Sequence, residues 1–287
     1  MKANPESSRQ SPPPRLIVNI ASGPELGRKA VLAPGQELRI GRAPGAELSI
    51  PGDSEMAGHH LVLRGTEAGY RVRDLGSLSG TWLDGVRVEE APVEHAAWLR
   101  AGATDLLVCH EGWAYAHAAP PSDTPAGRAS KTQALERLRA RTGPLYAVVD
   151  TARDGWVLQL LRESSEELSC LLDPPEAQTL FRVAPFLVAL AAPSALLTAL
   201  VHLGWGQSWG IYLEYDRPLA RLREHLRQVL DSTNPDTGKP AYLRFYDPRV
   251  LGGHVSGCTV EQRAEFFGDI RCFLAESESG ELECFER

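Results

Sequence analysis

Methionine and lysine are scarce in this chain of 287 residues, with 2 Met and only 4 Lys among 30 basic side chains. The arginine excess is a composition bias from which no function follows. The 5 cysteines (Cys109, Cys170, Cys258, Cys272, Cys284) are odd in number, widely spread and never in a C-x-x-C pair. That argues against a disulfide framework or a zinc knuckle and fits a reducing compartment. Long apolar runs are also missing. The richest stretch, Val183 to Leu203, is broken by Pro185 and Pro193, and the start, MKANPESSRQSPPPR, has no apolar core, so a soluble cytoplasmic protein without membrane insertion is expected. A net charge of -7 and pI near 5.7 argue against a general nucleic-acid or anionic-membrane binder. No H-E-x-x-H, P-loop or metal-spaced acid pair occurs, and the expectation is no enzyme, no cofactor and no metal site.

What is present is ordinary globular material, 43% hydrophobic and 23% charged, long enough for two domains. Residues 1–14 are polar and Pro/Ser-rich and read as a disordered leader. The segment 119–143 begins with a Pro/Gly/Ser-rich linker composition, HAAPPSDTPAGRAS, and continues into a short helical run with Ser130 and Gln133 at capping-box spacing. Charge divides with it. There are 12 basic and 14 acidic residues in 1–118, 5 and 2 in 119–143, and 13 and 21 in 144–287, so the acidity belongs to the C-terminal half and the linker is basic.

Residues 15–118 read as short strands bounded by Gly, Pro, Asp and Ser: LIVNIAS, KAVLA, ELRIGR, ELSI, HLVLRG, YRVRDLG, TWLDGVRV, DLLVCH and WAYAH. Asp84-Gly85 is a type I′ hairpin signal. The expected class is an all-β sandwich. Residues 144–287 alternate strand-like runs (LYAVVD, SCLL, PFLVAL, WGIYLEY, AYLRFYD, IRCFLAE) with helix-like ones. The helical runs are PPEAQTLF after Asp173, PSALLTALVHLG, RPLARLREHLRQVL after Asp216, and VEQRAEFFG, where Thr259 and Gln262 have capping-box spacing. This predicts an α/β domain with a mixed sheet covered by helices and a terminal edge hairpin across Ser-Glu-Ser-Gly-Glu.

In the first half, Ile40-Gly41-Arg42, then His60 in HHLVL, then DLGSLSGTWLDG from Asp74 to Gly85, and Leu99-x-x-Gly102 stand in one order and spacing. Residues 16–110 thereby resemble a forkhead-associated (FHA) domain. The resemblance implies an eleven-stranded sandwich whose end loops bind phosphothreonine peptides. A guanidinium pairs with the phosphate, hydroxyl and N–H groups complete its hydrogen bonds, and a side-chain amide holds the peptide. Carried over by position, Gly41 allows a tight turn and Arg42 takes the phosphate-pairing place. His60 braces the loop, and Gly80 and Thr81 form the turn after the next strand. Two positions depart: Ala57 stands where a serine is expected and Ser79 where an asparagine is expected. A missing charge-assisted hydrogen bond is worth about 1.5–3 kcal/mol, roughly ten- to a hundredfold in affinity. Ser54 and Ser77 are the candidate replacements. Phosphothreonine binding and docking of an unmodified protein surface both stay open.

In the second half the words LYAVVD-x-x-R (Leu145 to Arg153), APFLV-x-L, Gly204-Trp205-Gly206, His225-Leu-Arg-x-x-Leu and RFYDPRVL (Arg244 to Leu251), then Phe266-Phe-Gly, follow in order. Together they resemble the domain of unknown function found in type VI secretion effector chaperones, or adaptors, over about Gly143 to Glu276. The resemblance implies a protein that holds a toxic effector and helps load it onto the secretion spike. Its motif residues here are Asp150, Arg153, Trp205, His225, Arg244, Tyr246, Asp247, Pro248 and Arg249. Read from chemistry alone, Asp247 before Pro248 is a helix cap, and His202 is a packed or capping histidine. Arg217, Arg221 and Arg227 are a basic stripe on an amphipathic helix, either solvated or partner-binding. Trp205, Trp209, Tyr212 and Tyr215 are core or edge aromatics.

The expected function is therefore an effector-binding adaptor for type VI secretion, with effector and spike proteins as partners and an FHA module that docks a second, phosphothreonine-containing or unmodified protein. Two alternatives stand beside it: a phosphothreonine signalling scaffold unconnected with secretion, and an enzyme using Asp247, Arg249 and His254. The absent hydroxyl at Ala57 counts against the first, and the lack of a nucleophile-and-base pair counts against the second.

Overall fold

The computed structural model describes residues 13–118, 123–172, 180–231 and 242–287. Most of the expected leader, the first four linker residues and the helix expected after Asp173 lie outside them. The chain divides into two compact units, Met1–Glu111 and Gly112–Arg287.

The first unit contains eleven strands among the described residues: β1 (Leu16–Ser22), β2 (Lys29–Leu32), β3 (Glu37–Gly41), β4 (Leu48–Ser49), β5 (Leu61–Thr66), β6 (Gly69–Asp74), β7 (Thr81–Leu83), β8 (Val86–Val88), β9 (Glu90–Val93), β10 (Ala97–Ala101) and β11 (Thr104–His110). They form two sheets, ordered β2-β1-β11-β10-β7-β8 and β4-β3-β5-β6-β9. Period-two alternation puts Leu16, Val18 and Ile20 of β1 and Leu106 and Val108 of β11 inside, against Ile40, Leu61, Leu63 and Val72 of the other sheet. Asp84 (φ 48°) and Gly85 (φ 81°) make the expected tight turn between β7 and β8. Trp98 locks it, donating its N–H to Asp84 Oδ1 at 2.8 Å and accepting from Asp84 N–H at 2.8 Å.

The loops at one end are tied down by a buried carboxylate. Asp53 is 1% exposed and accepts from the N–H groups of Glu55 (3.0 Å), Met56 (3.1 Å) and Ala103 (3.0 Å) and from the Thr104 hydroxyl (2.6 Å). The β4–β5 loop is thus fastened to the β10–β11 turn. Gly102 makes the approach feasible, because a Cβ there would lie 2.6 Å from Met56 N.

The second unit holds strands β12 (Leu145–Asp150), β13 (Leu168–Cys170), β14 (Pro185–Leu190), β15 (Gly210–Glu214), β16 (Cys272–Glu276) and β17 (Leu282–Glu286). Its helices are α1 (Trp113–His117), α2 (Pro125–Arg139), α3 (Gly155–Arg162), α4 (Ala195–Gly204), α5 (Leu219–Leu230), α6 (Pro248–Gly257) and α7 (Val260–Phe267). The sheet order is β13-β14-β12-β15-β16-β17. β12 is buried along its whole length, so it needs cover on both faces. Ala147 and Val149 pack with Leu135 and Leu138 of α2, Val157 and Leu161 of α3 and Leu197 and Val201 of α4. Tyr146 and Val148 face Leu222 and Leu226 of α5, Leu251 and Val255 of α6 and Phe266 and Phe267 of α7.

The two-domain class holds, with corrections of detail. The expected mixed sheet is antiparallel at every described pairing. WAYAH, expected as a strand, is helix α1 of the second unit, because Glu163 receives the Ala114 N–H at its first turn. The described residues of AYLRFYD form no strand either. They turn, with Phe245 N–H to Leu243 O at 2.9 Å and Asp247 N–H to Arg244 O at 3.0 Å. The linker expected over 119–143 is helical from Pro125 and packs into the core of this unit through Ala134, Leu135 and Leu138. Its cap is Thr124, accepting from Gly127 N–H at 3.1 Å, so Ser130 is an interior residue that donates to Gly280 O. Asp216 caps nothing and pairs with Arg271 at 2.5 Å. The Thr259–Gln262 capping box and the terminal β16–β17 hairpin form as expected.

A fragment spanning 112–287 should therefore unfold cooperatively, whereas one spanning 143–287, stripped of α1 and α2, should lose about 4 kcal/mol or more, at roughly 2–5 kcal/mol for each large buried leucine. Urea unfolding followed by circular dichroism checks this; equal midpoints would return 119–143 to the status of a linker.

Candidate functional site

Two clusters bring together most of the residues singled out from the sequence. In the first unit the loops after β3, β4 and β6 meet at one end of the sandwich. Gly41 lets the first loop touch the second, since a Cβ would lie 2.2 Å from Gly58 O. Arg42 N–H donates to Ala57 O at 2.9 Å, while the Arg42 side chain is exposed and has no ion pair or hydrogen bond among the described residues. His60 is fully buried. Ala57 N–H reaches its Nδ1 at 3.2 Å, so Nε2 carries the proton and donates to Gly80 O at 3.1 Å. One imidazole thus braces two loops.

The third loop is organised by Asp74. Its carboxylate accepts from the N–H groups of Gly76 and Ser77 (2.8 Å each), the Ser77 hydroxyl (2.6 Å) and the Thr81 hydroxyl (2.7 Å). Burial works to raise the Asp74 pKa, but the hydrogen bonds from Ser77, Thr81 and Gly76 outweigh it and hold the carboxyl below its ordinary value. Ser77 and Thr81 are accordingly spent on structure. The Ser79 hydroxyl is spent too, donating to Glu55 O at 3.2 Å. Of the candidate replacement hydroxyls only Ser54 stays exposed.

In the second unit LYAVVD-x-x-R and RFYDPR, nearly a hundred residues apart, meet in an ion network. Asp150, at the end of β12, is 2% exposed and is reached by Arg244 and, at 3.6 Å, by Arg153. Asp247 is paired by Arg153 and, at 2.7 Å, by Arg249. It also caps α6 by accepting the Arg249 N–H at 3.1 Å, with Pro248 at the first helical position. Burial pushes the Asp247 pKa up, and the bonds from Arg249 and the charge of Arg153 more than reverse it. Arg153 thus bridges two buried carboxylates, and the guanidinium of Arg244 also lies 5.7 Å from the Tyr246 ring.

Trp205 and His225 stand apart from this network. The Trp205 indole donates to Gly280 O at 2.8 Å. His225 Nε2 donates to Phe266 O at 2.9 Å, and its ring packs on Gly268. Trp205, Trp209, Tyr212 and Tyr215 are all core residues. The basic stripe is neutralised: Arg217 pairs with Asp269 (3.1 Å), Arg221 with Glu224 (3.5 Å) and Arg227 with Asp231 (3.1 Å). His202 packs its Nδ1 against the Tyr115 hydroxyl at 2.7 Å.

Sequence reasoning missed a cleft of about 1080 Å³ beside α6. Trp205, Gly206, Pro248 and Arg249 come to it from two motif words, with Gly252 and Gly253 just beyond the second, joined by α2 and the β16–β17 turn. Gly252 and Gly253 sit inside a helix, where each costs about 1 kcal/mol relative to alanine. Nothing lies within 4 Å of a Cβ at Gly253. That unforced Gly-Gly pair was the signal in the sequence.

The architecture is an FHA-type β-sandwich joined to an α/β unit built on an antiparallel sheet. Residues 145–265 match the family model described as domain of unknown function DUF4123, and residues 19–112 match the model described as inner membrane component of T3SS, cytoplasmic domain. The chain carries a C-terminal DUF4123 domain, of a type VI secretion effector-chaperone family, and an N-terminal FHA-like fold. Among solved structures, it is similar to an Arabidopsis thaliana FHA domain (25% identity, 41% of this chain and 99% of that one, TM-score 0.33). It is also similar to an FHA-1 domain from Mycobacterium tuberculosis (25% identity, 34% and 99%, TM-score 0.29). A third is an FHA domain from a study of phosphothreonine-dependent interactions (25%, 34% and 97%, TM-score 0.31). No curated protein matches. No helix among the described residues is long and apolar enough to cross a membrane.

The sign of the Asp74 shift gives a pH test. A carboxyl whose folded pKa is depressed stabilises the fold above its unfolded pKa and loses that contribution as pH falls through the folded value. Asp74→Asn should cost about 1–2 kcal/mol of local stability near neutral pH, with the difference from wild type vanishing in strong acid. Hydrogen-exchange protection of residues 75–81 measures it; a pH-independent difference would contradict the assignment.

Proposed function

We propose that this protein is a binding adaptor for type VI secretion, acting without chemistry of its own. Its DUF4123 unit holds a segment of an effector for delivery to the secretion spike, and its FHA-like unit docks a phosphothreonine-containing partner. The observation that carries the reading is the convergence on one cleft of Trp205 and Gly206 from one motif word and Pro248 and Arg249 from another, RFYDPRVL. A helix face left open at Gly253 lets another backbone approach closely. Lys131 and Arg249, the lining cations, are already paired with Asp123 and Asp247. Glu276, Glu278 and Glu283 leave the rest of the lining acidic, which suits an effector segment with basic residues.

The docking half of the reading is supported by the unengaged guanidinium of Arg42 on loops already fixed by His60 and Asp74. Preformed loops lose little freedom when a ligand binds, which preserves affinity. The donor lost at Ala57 weakens phosphate binding but leaves its charge partner in place.

Two measurements test the proposal. Co-expressed with type VI effector toxins from its own genome, the full chain should retain one of them through affinity purification. Gly253→Trp should reduce recovery about tenfold or more, while Gly253→Ala, which adds up to about 1 kcal/mol of helix stability, should retain it. Equal recovery with both variants would remove the cleft from the reading. On peptide arrays, threonine phosphorylation should increase binding of the full chain and Arg42→Ala should abolish the increase; no gain on phosphorylation would leave the FHA-like unit as a dock for unmodified surfaces.

A further inference from the structure

A second guanidinium stands at the FHA-like loops, and it comes from outside the motif. Arg87 lies on β8, directly across from Trp82 of β7. Its side chain folds back over Gly80, where a Cβ would meet Nε at 2.5 Å, Cζ at 3.0 Å and Nη2 at 3.1 Å. Gly80, at φ +76°, is the residue whose carbonyl oxygen His60 holds. The guanidinium is therefore parked against the braced segment of the third loop. Arg87 is exposed and makes no ion pair or hydrogen bond among the described residues. Leu78, two residues before Gly80, is fully exposed, and Trp82, across from Arg87, is partly so, with its indole N–H fixed on Ser79 O at 3.3 Å.

The contacts from Arg42 N–H to Ala57 O, from Ala57 N–H to His60 and from His60 to Gly80 run without a gap to the loop on which Arg87 rests. Two unengaged arginines thus belong to one braced loop cluster, while the polar groups at Ser77, Ser79 and Thr81 are consumed internally. A guanidinium laid against the chain at Gly80 with its N–H groups free is suited to a carboxylate, which it can take through two parallel hydrogen bonds.

Resting on the phosphothreonine reading above, we infer that Arg87 is a specificity residue that selects phosphothreonine peptides carrying an acidic side chain near the phosphate. Arg42 reads the phosphate and Arg87 the neighbouring carboxylate. The second ion pair offsets the donor missing at Ala57.

The test uses the purified full chain and fluorescent phosphothreonine peptides in which aspartate is moved through each position on either side of the phosphate, with unphosphorylated controls. For wild type, one aspartate position should tighten binding about tenfold, the value of one charge-assisted hydrogen bond. Arg87→Gln should lose that gain while keeping the gain from phosphorylation, and Arg42→Gln should lose the gain from phosphorylation. An aspartate preference untouched by Arg87→Gln, or no aspartate preference at any position, overturns the role of Arg87 while leaving phosphothreonine binding intact. Absence of any gain from phosphorylation overturns both.

Discussion

A carboxylate withdrawn from water must be met by donors or it destabilises the fold, and four aspartates obeying that rule, three buried and Asp74 half-buried, set the loop positions in this protein. Asp53 and Asp74 do so in the sandwich, and Asp150 and Asp247 in the α/β unit. Three of them draw donors from distant stretches of chain: Ala103 and Thr104 reach Asp53, Arg244 reaches Asp150, and Arg153 reaches Asp247; Asp74 draws its donors from the loop that follows it. The kind of donor differs between the units, with consequences. In the sandwich it is N–H and hydroxyl groups that satisfy the carboxylates, so no cation is consumed and the arginines of the loops stay available to a ligand. In the α/β unit the carboxylates take up Arg153, Arg244 and Arg249, so the network is a structural tie.

Local chemistry was the legible part of the fold. Asp84-Gly85 specifies its own turn, Thr259 and Gln262 their own capping box, and Asp247-Pro248 a helix start, because each needs only neighbours within a few residues. What sequence reading missed depends on distant partners. Trp113 to His117 has strand-like aromatics, yet Glu163, far along the chain, receives the Ala114 N–H and stabilises a helix. Residues 125–139 have a linker composition at their start, but Leu135 and Leu138 find a core made by other elements. Antiparallel pairing of β12 with both β14 and β15 is likewise a property of connections, and alternating strands and helices do not fix it.

The sites divide the same way. The order of Gly41, Arg42, His60, Gly80 and Thr81 announced the loop cluster, but not that Ser77 and Thr81 would be spent on Asp74. Asp150, Arg153, Arg244, Asp247 and Arg249 were all marked as motif residues, whereas their meeting around two carboxylates is a matter of topology. Trp205 and His225 carried equal weight in the motif and lie elsewhere, each bracing a turn through one ring nitrogen. Arg87 belonged to no pattern, since a β8 side chain reaches the loops only through the tight turn at Asp84-Gly85.

On the proposed function the two candidate surfaces solve recognition by opposite means. The loop cluster is stiffened until its few free charges sit on a fixed frame, which favours a small ligand bound through ion pairs and makes the loss of one donor at Ala57 felt. The cleft is built by omission: glycines in a helix interior lower the stability of α6 and leave backbone open to close approach. A surface of that kind draws its affinity from the area a partner segment buries there, so it tolerates variation in the segment's side chains. Selectivity in the adaptor would then rest mainly with the charged loops and holding power with the cleft, and carrying both in one chain raises the effective concentration of each ligand for the other.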